Sequence, residues 1–172
     1  MEQELLEKKK WINRLEAIAA VAGVYARFND PEADDDVLSP EERNKLKKLV
    51  LAVGAFRTIS FHVRPFERFL GWARSQWLQV YPLSQDLVTK YALDLDGRQC
   101  GPTVIPSARA AISWVCSRLS IDPPCLDSLD IKAIELKVVE ACAKEVKEAV
   151  PLPIELVLFL DSCFIAQWRI IQ

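Results

Sequence analysis

The sequence predicts an all-α protein, a compact bundle of six or seven helices, and three observations support this. Hydrophobic residues make up 51% of the 172 residues, enough to fill the core of a domain of this length. Leu, Ala and Val dominate over Thr and Tyr, which favours helices, and the chain has only five glycines and ten prolines. No run of alternating polar and apolar residues is long enough to predict a sheet.

The first predicted helix covers residues 3–28, where apolar residues recur at helical spacing. An acidic loop follows over residues 30–36. Ser39 then begins a second helix as its N-cap, because Pro40 suits the first helical position and Glu42 can complete a capping box. This second helix is predicted to end either near Val53 or further on toward Phe61.

Pro65 is predicted to begin the next helix, because a proline disfavours helical conformation in the residue before it and suits a first turn. One face of this helix is apolar and is predicted to meet the core: Phe66, Phe69, Leu70, Ala73 and Trp77. The opposite face carries Arg64, Arg68, Gly71 and Ser75.

Ser84 is predicted to cap a short helix ending near Leu95, and turn residues follow over 96–102. The next helix begins at Thr103 or Ser107 and ends at Leu119. Its predicted core residues are Ala108, Ala111, Ile112, Val115 and Leu119. Its outer face is thin, because it carries the small or short residues Pro106, Ala110, Ser113 and Ser117.

Asp127 or Asp130 is predicted to cap a helix over residues 131–148, and residues 151–153 form a stiff linker. Residues 154–170 are apolar on nearly every face, so we expect them to be buried either by the rest of the domain or by a partner that this chain lacks. The predicted division is therefore an N-terminal helix with an acidic loop over 1–38, a helical domain over 39–150, and a linker with an apolar helix over 151–172.

The charge is unevenly distributed along the chain. The total is −2, which by itself argues against nucleic acid as a partner. Residues 41–118, however, hold 12 lysines and arginines against 6 acidic residues, a net +6, and each flanking segment is net −4. Arginine suits phosphate oxygens and guanine edges. The thin helix face either approaches a DNA groove or packs against another helix, since small residues permit both.

Few groups suited to catalysis are present. The five glycines form no phosphate-binding loop, and no Gly-x-Ser-x-Gly pattern occurs. His62 is the single histidine and the five cysteines contain no Cys-x-x-Cys pair, which argues against a zinc site. We therefore expect no catalytic residue, no metal and no cofactor. The chain has no secretory signal and no uncharged apolar span, so we expect an intracellular protein that does not enter membranes.

The order of several segments resembles the core-binding domain of tyrosine recombinases and phage-type integrases. The similar segments are Arg64-Pro65-Phe66-Glu67-Arg68-Phe69-Leu70-Gly71-Trp72, then Tyr91-Ala92-Leu93, the turn from Gly97 to Pro102, and residues 103–114. Residues 147–154 are similar to the linker that leads into the catalytic domain of that family. The resemblance extends over about 100 residues, from Thr58 to Asp161.

The resemblance implies a SAM-like helical domain that clamps one side of duplex DNA and places two helices in the major groove. The predicted N-terminal helix is an addition to that domain, because residues 1–38 lie outside the resemblance. By this resemblance the DNA-contacting residues are Arg64, Arg68, Ser75, Arg98, Gln99, Thr103, Ser107, Arg109, Ser113 and Ser117. It also implies a role in DNA recombination or integration, with a nuclear location if the source is eukaryotic.

The chain departs from the family in its chemistry. The family cuts DNA with an Arg, a Lys, a His-x-x-Arg pair and a tyrosine in a second domain, and this chain lacks that set. We therefore expect a DNA-binding domain that is not an enzyme by itself. The alternative is a helical protein-interaction or dimerisation module that binds a partner helix or a second copy through its N-terminal or C-terminal helix.

Overall fold

The computed structural model describes residues 2–26 and 39–145. Six α-helices make up this part of the chain: α1 (Glu2–Ala22), α2 (Pro40–Ala52), α3 (Phe56–Ser75), α4 (Gln85–Gly97), α5 (Val104–Leu119) and α6 (Leu129–Glu145). A 3-10 turn (Gly23–Tyr25) follows α1. Helix accounts for 78% of the described residues and strand for none of them, which confirms the all-α prediction.

Several predicted features fall outside the described residues. These are the acidic loop at 30–36, the linker at 151–153, the apolar segment at 154–170 and the last residues of the predicted 131–148 helix. The chain divides into two compact units, residues 1–140 and 141–172. Residues 141–145, the described part of the second unit, form the last turns of α6.

Helices α3 and α5 pack against each other along the centre of the bundle, and α1 packs on α3. Phe66 and Phe69 of α3 and Ile112 and Val115 of α5 are completely buried. The five residues of α5 predicted to face the core are all buried, as its apolar spacing predicts: Ala108, Ala111, Ile112, Val115 and Leu119. The small residues predicted for its outer face are all exposed: Pro106, Ala110, Ser113 and Ser117.

Helix α1 belongs to the same compact unit as the bundle. Trp11, Leu15 and Ile18 are buried, and Arg14 forms an ion pair of 2.9 Å with Glu67 of α3. Helix α1 is therefore part of that unit, while the predicted boundary at residues 38 and 39 borders a segment outside the described residues. Burial of one apolar stripe is what an amphipathic helix achieves by packing on a neighbour.

The predicted caps of α2 and α4 are confirmed. Ser39 Oγ accepts a hydrogen bond from the Glu42 amide at 3.3 Å, and Glu42 Oε2 accepts one from the Ser39 amide at 2.8 Å, which completes the capping box. This hydrogen bonding lowers the pKa of Glu42. Ser84 Oγ accepts a bond from the Leu87 amide at 3.2 Å.

The predicted cap of α6 is wrong. Ser128 Oγ accepts the bond from the Ile131 amide, at 3.5 Å, and the helix begins at Leu129. Asp127 instead forms an ion pair with Arg109 of α5. Serine and aspartate are both good N-caps, and the nearby arginine engages the aspartate.

Pro65 does not begin a helix but lies inside α3, so the predicted helix start is wrong. A proline inside a helix costs about 3 kcal/mol, because it cannot donate to the carbonyl four residues back. Ile59 and Val63 before the proline are completely buried, as is Phe66 after it. Each such side chain contributes about 1.5–3 kcal/mol on burial. Their combined burial exceeds the cost of the proline, and α3 continues through it.

Trp77 does not face the core, although its spacing predicts that it should. It is 96% exposed, because α3 ends at Ser75 and Trp77 adopts a left-handed backbone with φ of 56°. The Trp77 amide bonds the Arg74 carbonyl at 3.0 Å, and the Leu78 amide bonds the Ala73 carbonyl at 2.9 Å. These two bonds form a Schellman motif, which usually places glycine where this chain has Trp77.

Candidate nucleic-acid interface

A groove of about 420 Å³ lies where the middle of α3 meets the N-terminus of α5. Helix α3 contributes Arg57, Ser60, Phe61, Arg64, Pro65 and Arg68, and α4 contributes Tyr91. The remaining lining residues are Thr103, Val104, Ser107 and Ala108. We call this surface the arginine groove.

The α3 side of the groove is a single stripe. Arg57, Phe61, Arg64 and Arg68 are all exposed, and their spacing of four, three and four residues places them on one face of a continuous helix. From Arg57 to Arg68 the helix rises about 16 Å, at about 1.5 Å per residue. The stripe continues past Arg68 to Gly71 and Ser75, which are also exposed.

The arginine groove is positively charged. No acidic residue of the described ranges lines it, and Glu67, next to Arg68 in the chain, is paired with Arg14. Within residues 2–26 and 39–145, neither Arg57 nor Arg64 nor Arg68 forms an ion pair with a carboxylate. Their positive charges are therefore not neutralised by a neighbouring carboxylate in this part of the chain.

Arg64 is held by an aromatic contact instead of an ion pair. Its guanidinium carbon lies 4.9 Å from the ring centroid of Trp11, a side chain that is only 2% exposed. Such a cation–π contact orients the guanidinium but leaves its N–H groups able to bind an anion. Helix α1 thereby helps to position a residue of the arginine groove.

The N-terminus of helix α5 also lines the groove. Thr103 is its N-cap residue but its side chain forms no capping hydrogen bond, and Ser107 lies one turn further on. The first turn of a helix carries partial positive charge, which favours a nearby anion. Tyr91 closes the groove from α4, and burial raises the pKa of its hydroxyl, so Tyr91 is neutral near pH 7.

A stack of side chains adjoins the groove beside Phe61. The Phe61 and His62 rings meet edge to face at 5.1 Å, and His62 lies flat on Trp114 at 5.0 Å. The Arg118 guanidinium covers Trp114 at 4.7 Å and donates a hydrogen bond to the Val50 carbonyl at 2.8 Å. Burial, together with the charge of Arg118, lowers the pKa of His62.

The groove brings together four of the ten residues predicted to contact DNA: Arg64, Arg68, Thr103 and Ser107. Ser75 lies on the same face of α3, where its hydroxyl donates to the Trp72 carbonyl at 2.7 Å. Ser113 and Ser117 are exposed on the outer face of α5 but do not line the groove.

Arg98 and Gln99 lie at the end of α4 and also do not line the groove. Arg98 forms an ion pair of 2.8 Å with Asp94. Gln99 is exposed and has a positive φ of 54°, which places it in the turn after the helix as predicted.

The prediction that Arg109 contacts DNA does not fit its position. Its Nη1 donates to both carboxylate oxygens of Glu135, at 2.9 and 2.8 Å, and its Nη2 donates to Asp127. Only 21% of its side chain is exposed. Arg109 therefore links α5 to α6, and its guanidinium is already engaged by two carboxylates.

The sequence interpretation missed Arg57 and Phe61. The sequence does contain a signal for both residues, because Arg57 and Phe61 continue the helical spacing of Arg64 and Arg68 toward the N-terminus. A predicted helix start at Pro65 placed them in a different element and concealed the common stripe.

Comparisons of the chain with protein-family models, with curated proteins and with solved structures give no match. In the described ranges, no three metal-binding side chains lie close enough together to hold an ion. No helix among them is both long and apolar enough to cross a membrane.

Proposed function

We propose that the arginine groove binds the phosphate backbone of duplex DNA, and that the chain is a DNA-binding helical domain of the tyrosine recombinase type. The observation that supports this is the stripe of Arg57, Arg64 and Arg68, which share one helix face without a carboxylate partner in residues 2–26 and 39–145. An arginine side chain carries a planar fork of N–H donors, which can form two parallel hydrogen bonds to one phosphate group. Phosphate is therefore a suitable ligand for this stripe.

The dimensions of α3 are compatible with duplex DNA. The arginine stripe rises about 16 Å along the helix, which equals the axial length of about five base pairs at 3.4 Å each. A major groove about 12 Å wide admits one α-helix. Gly71 and Ser75 extend the same face with short side chains, and a Cβ at Gly71 would meet no atom within 4 Å, so this part of α3 is open to solvent.

The hydroxyl groups of Thr103 and Ser107 and the N-terminus of α5 add donors to the opposite wall. Phosphate contacts of this kind position a protein on DNA without reading its sequence. The proposal therefore includes affinity for duplex DNA and no particular site.

Fluorescence anisotropy with a labelled duplex of about 20 base pairs tests the proposal. Each neutralised phosphate contributes about 0.9 to the slope of log affinity against log salt, so three arginines contribute about 2.7, or roughly 40-fold between 50 and 200 mM salt. The triple substitution Arg57→Ala, Arg64→Ala and Arg68→Ala is expected to remove that part of the slope.

Arg74→Ala is the matched control, because Arg74 is an exposed arginine of α3 that lies outside the arginine groove. The control is expected to keep most of the affinity and slope of the wild type. Because the control removes one positive charge and the triple variant removes three, a loss of log affinity in the control of about one third of the loss in the triple variant, or more, would contradict the proposal. No duplex binding by the wild type at low salt would also contradict it.

A further inference from the structure

Phe61 is an unusual side chain for a DNA-backbone site. It lies between Arg57 and Arg64 on the exposed stripe of α3 and lines the arginine groove, yet 60% of it is exposed. Its described ring contact is the edge-to-face contact with His62. Phosphate binding alone gives no reason to place a large apolar ring among three arginines.

Exposed aromatic rings inside basic grooves are typical of proteins that bind unpaired bases. A base in an intact duplex is stacked on both sides, whereas an extrahelical base offers its face to an aromatic ring. We propose that Phe61 stacks on an unpaired nucleobase, so that the arginine groove binds DNA most tightly where one base is extrahelical. This inference depends on the proposed function, since the arginines hold the flanking phosphates.

The surroundings of Phe61 fit this role. The groove volume of about 420 Å³ lies within the range of small-ligand sites, about 300–1,000 Å³. Pro65, Val104 and Ala108 supply apolar walls, and the Ser107 hydroxyl can bond a base edge.

The aromatic stack on the far side of Phe61 restricts its ring. His62 meets it edge to face, His62 stacks on Trp114, and the Arg118 guanidinium covers Trp114. A ring that is restricted before binding loses less conformational entropy when a base stacks on it. Phe61 thus presents an aromatic face whose orientation is set by α5 as well as by α3.

The test compares two duplexes that differ by one base. The first carries a single unpaired thymidine in its centre, and the second carries an abasic sugar at the same position, so both have the same number of phosphates. Stacking on an aromatic side chain predicts that the wild-type chain binds the thymidine duplex at least about 5-fold more tightly.

Phe61→Ala is expected to bind both duplexes with the same affinity, and Phe61→Trp is expected to restore the preference for thymidine. Leu93→Ala is the control, because Leu93 is an apolar residue of α4 that is 53% exposed and lies outside the groove. Circular dichroism confirms that each variant is folded, and removal of a mostly exposed ring leaves the buried core intact.

The outcomes separate this inference from the proposed function. Equal binding of both duplexes by the wild type overturns the role of Phe61, and the proposed function stands if the triple arginine variant loses both. A thymidine preference that persists in Phe61→Ala also overturns the inference. No binding of either duplex by the wild type overturns both proposals.

Discussion

Substitution of Arg109 distinguishes a structural role from a DNA contact. Arg109→Ala removes two hydrogen bonds to Glu135, of 2.9 and 2.8 Å, and a third to Asp127. Glu135 then keeps a carboxylate that is only 16% exposed and has lost its partner. We expect the variant to be less stable than the wild type and to equal it in the proposed DNA binding.

The cost follows from the burial of the pair. Breaking a buried ion pair costs about 3–5 kcal/mol, whereas an exposed pair contributes up to about 1 kcal/mol. The Arg109 and Glu135 side chains are 21% and 16% exposed. We therefore expect Arg109→Ala to lower the free energy of unfolding by about 2–3 kcal/mol. For a chain of this length that loss lowers the melting temperature by about 5–10 °C.

Thermal and urea unfolding measure this loss, and anisotropy with duplex DNA measures the affinity of the same variant. Asp127→Ala is the control, because Asp127 is 75% exposed, and its removal is expected to cost less than about 1 kcal/mol. The double substitution Arg109→Met and Glu135→Leu is expected to recover most of the stability, since it leaves no unpaired charge. Unchanged stability of Arg109→Ala together with weaker DNA binding would show that Arg109 acts as a DNA contact and not as a structural link.

Two further predictions concern backbone strain and pH. Trp77→Gly is expected to stabilise the protein by about 1 kcal/mol in urea unfolding, because glycine adopts the left-handed conformation without a steric cost; Trp77→Ala, which retains that cost, should show no such gain. The pKa of His62 is lowered in the folded protein from its ordinary value of 6.5, so the unfolded chain binds more protons and stability falls as the pH decreases through 6.5. His62→Gln should lose the part of this stability decrease that His62 causes, which melting curves recorded between pH 7.5 and 5 measure. An identical pH dependence of stability in the wild type and the variant would contradict a role of His62.

Local signals in the sequence predict most of the helices. Ser39 and Ser84 begin α2 and α4 where the capping patterns place them, because a cap depends on residues within one turn. The core face of α5 is also predicted correctly from apolar spacing. In each case the information lies within a few residues of the feature.

Two features of α3 differ from what the sequence predicts, one because of tertiary packing and one because of local backbone geometry. Pro65 is a strong local signal for a helix start, yet the buried side chains on both sides of it keep α3 continuous. Trp77 has the spacing of a core residue, but α3 ends two residues earlier in a Schellman motif. The continuity of α3 depends on packing across the bundle, which no short stretch of sequence encodes, whereas its end depends on local backbone hydrogen bonds that apolar spacing does not reveal.

The candidate site is also predictable only in part, because local spacing identifies exposed residues but does not identify their partners from other helices. Charge and helical spacing are enough to select Arg64 and Arg68, since exposure of a helix face follows from the position of its apolar face. Arg109 has a similar position relative to the core of α5, but its two carboxylate partners come from 18 and 26 residues further along the chain. Sequence spacing does not predict such a pairing between helices.

The continuity of α3 links the hydrophobic core to the proposed DNA-binding surface. Residues spaced by four, three and four positions share a face only in an unbroken helix, so Arg57 joins Arg64 and Arg68 only because α3 continues through Pro65. Burial of Ile59 and Val63 maintains that continuity. The net charge of −2 therefore does not describe this surface, because the core arranges three arginines on one helix face and Glu67, the residue before Arg68, is paired with Arg14.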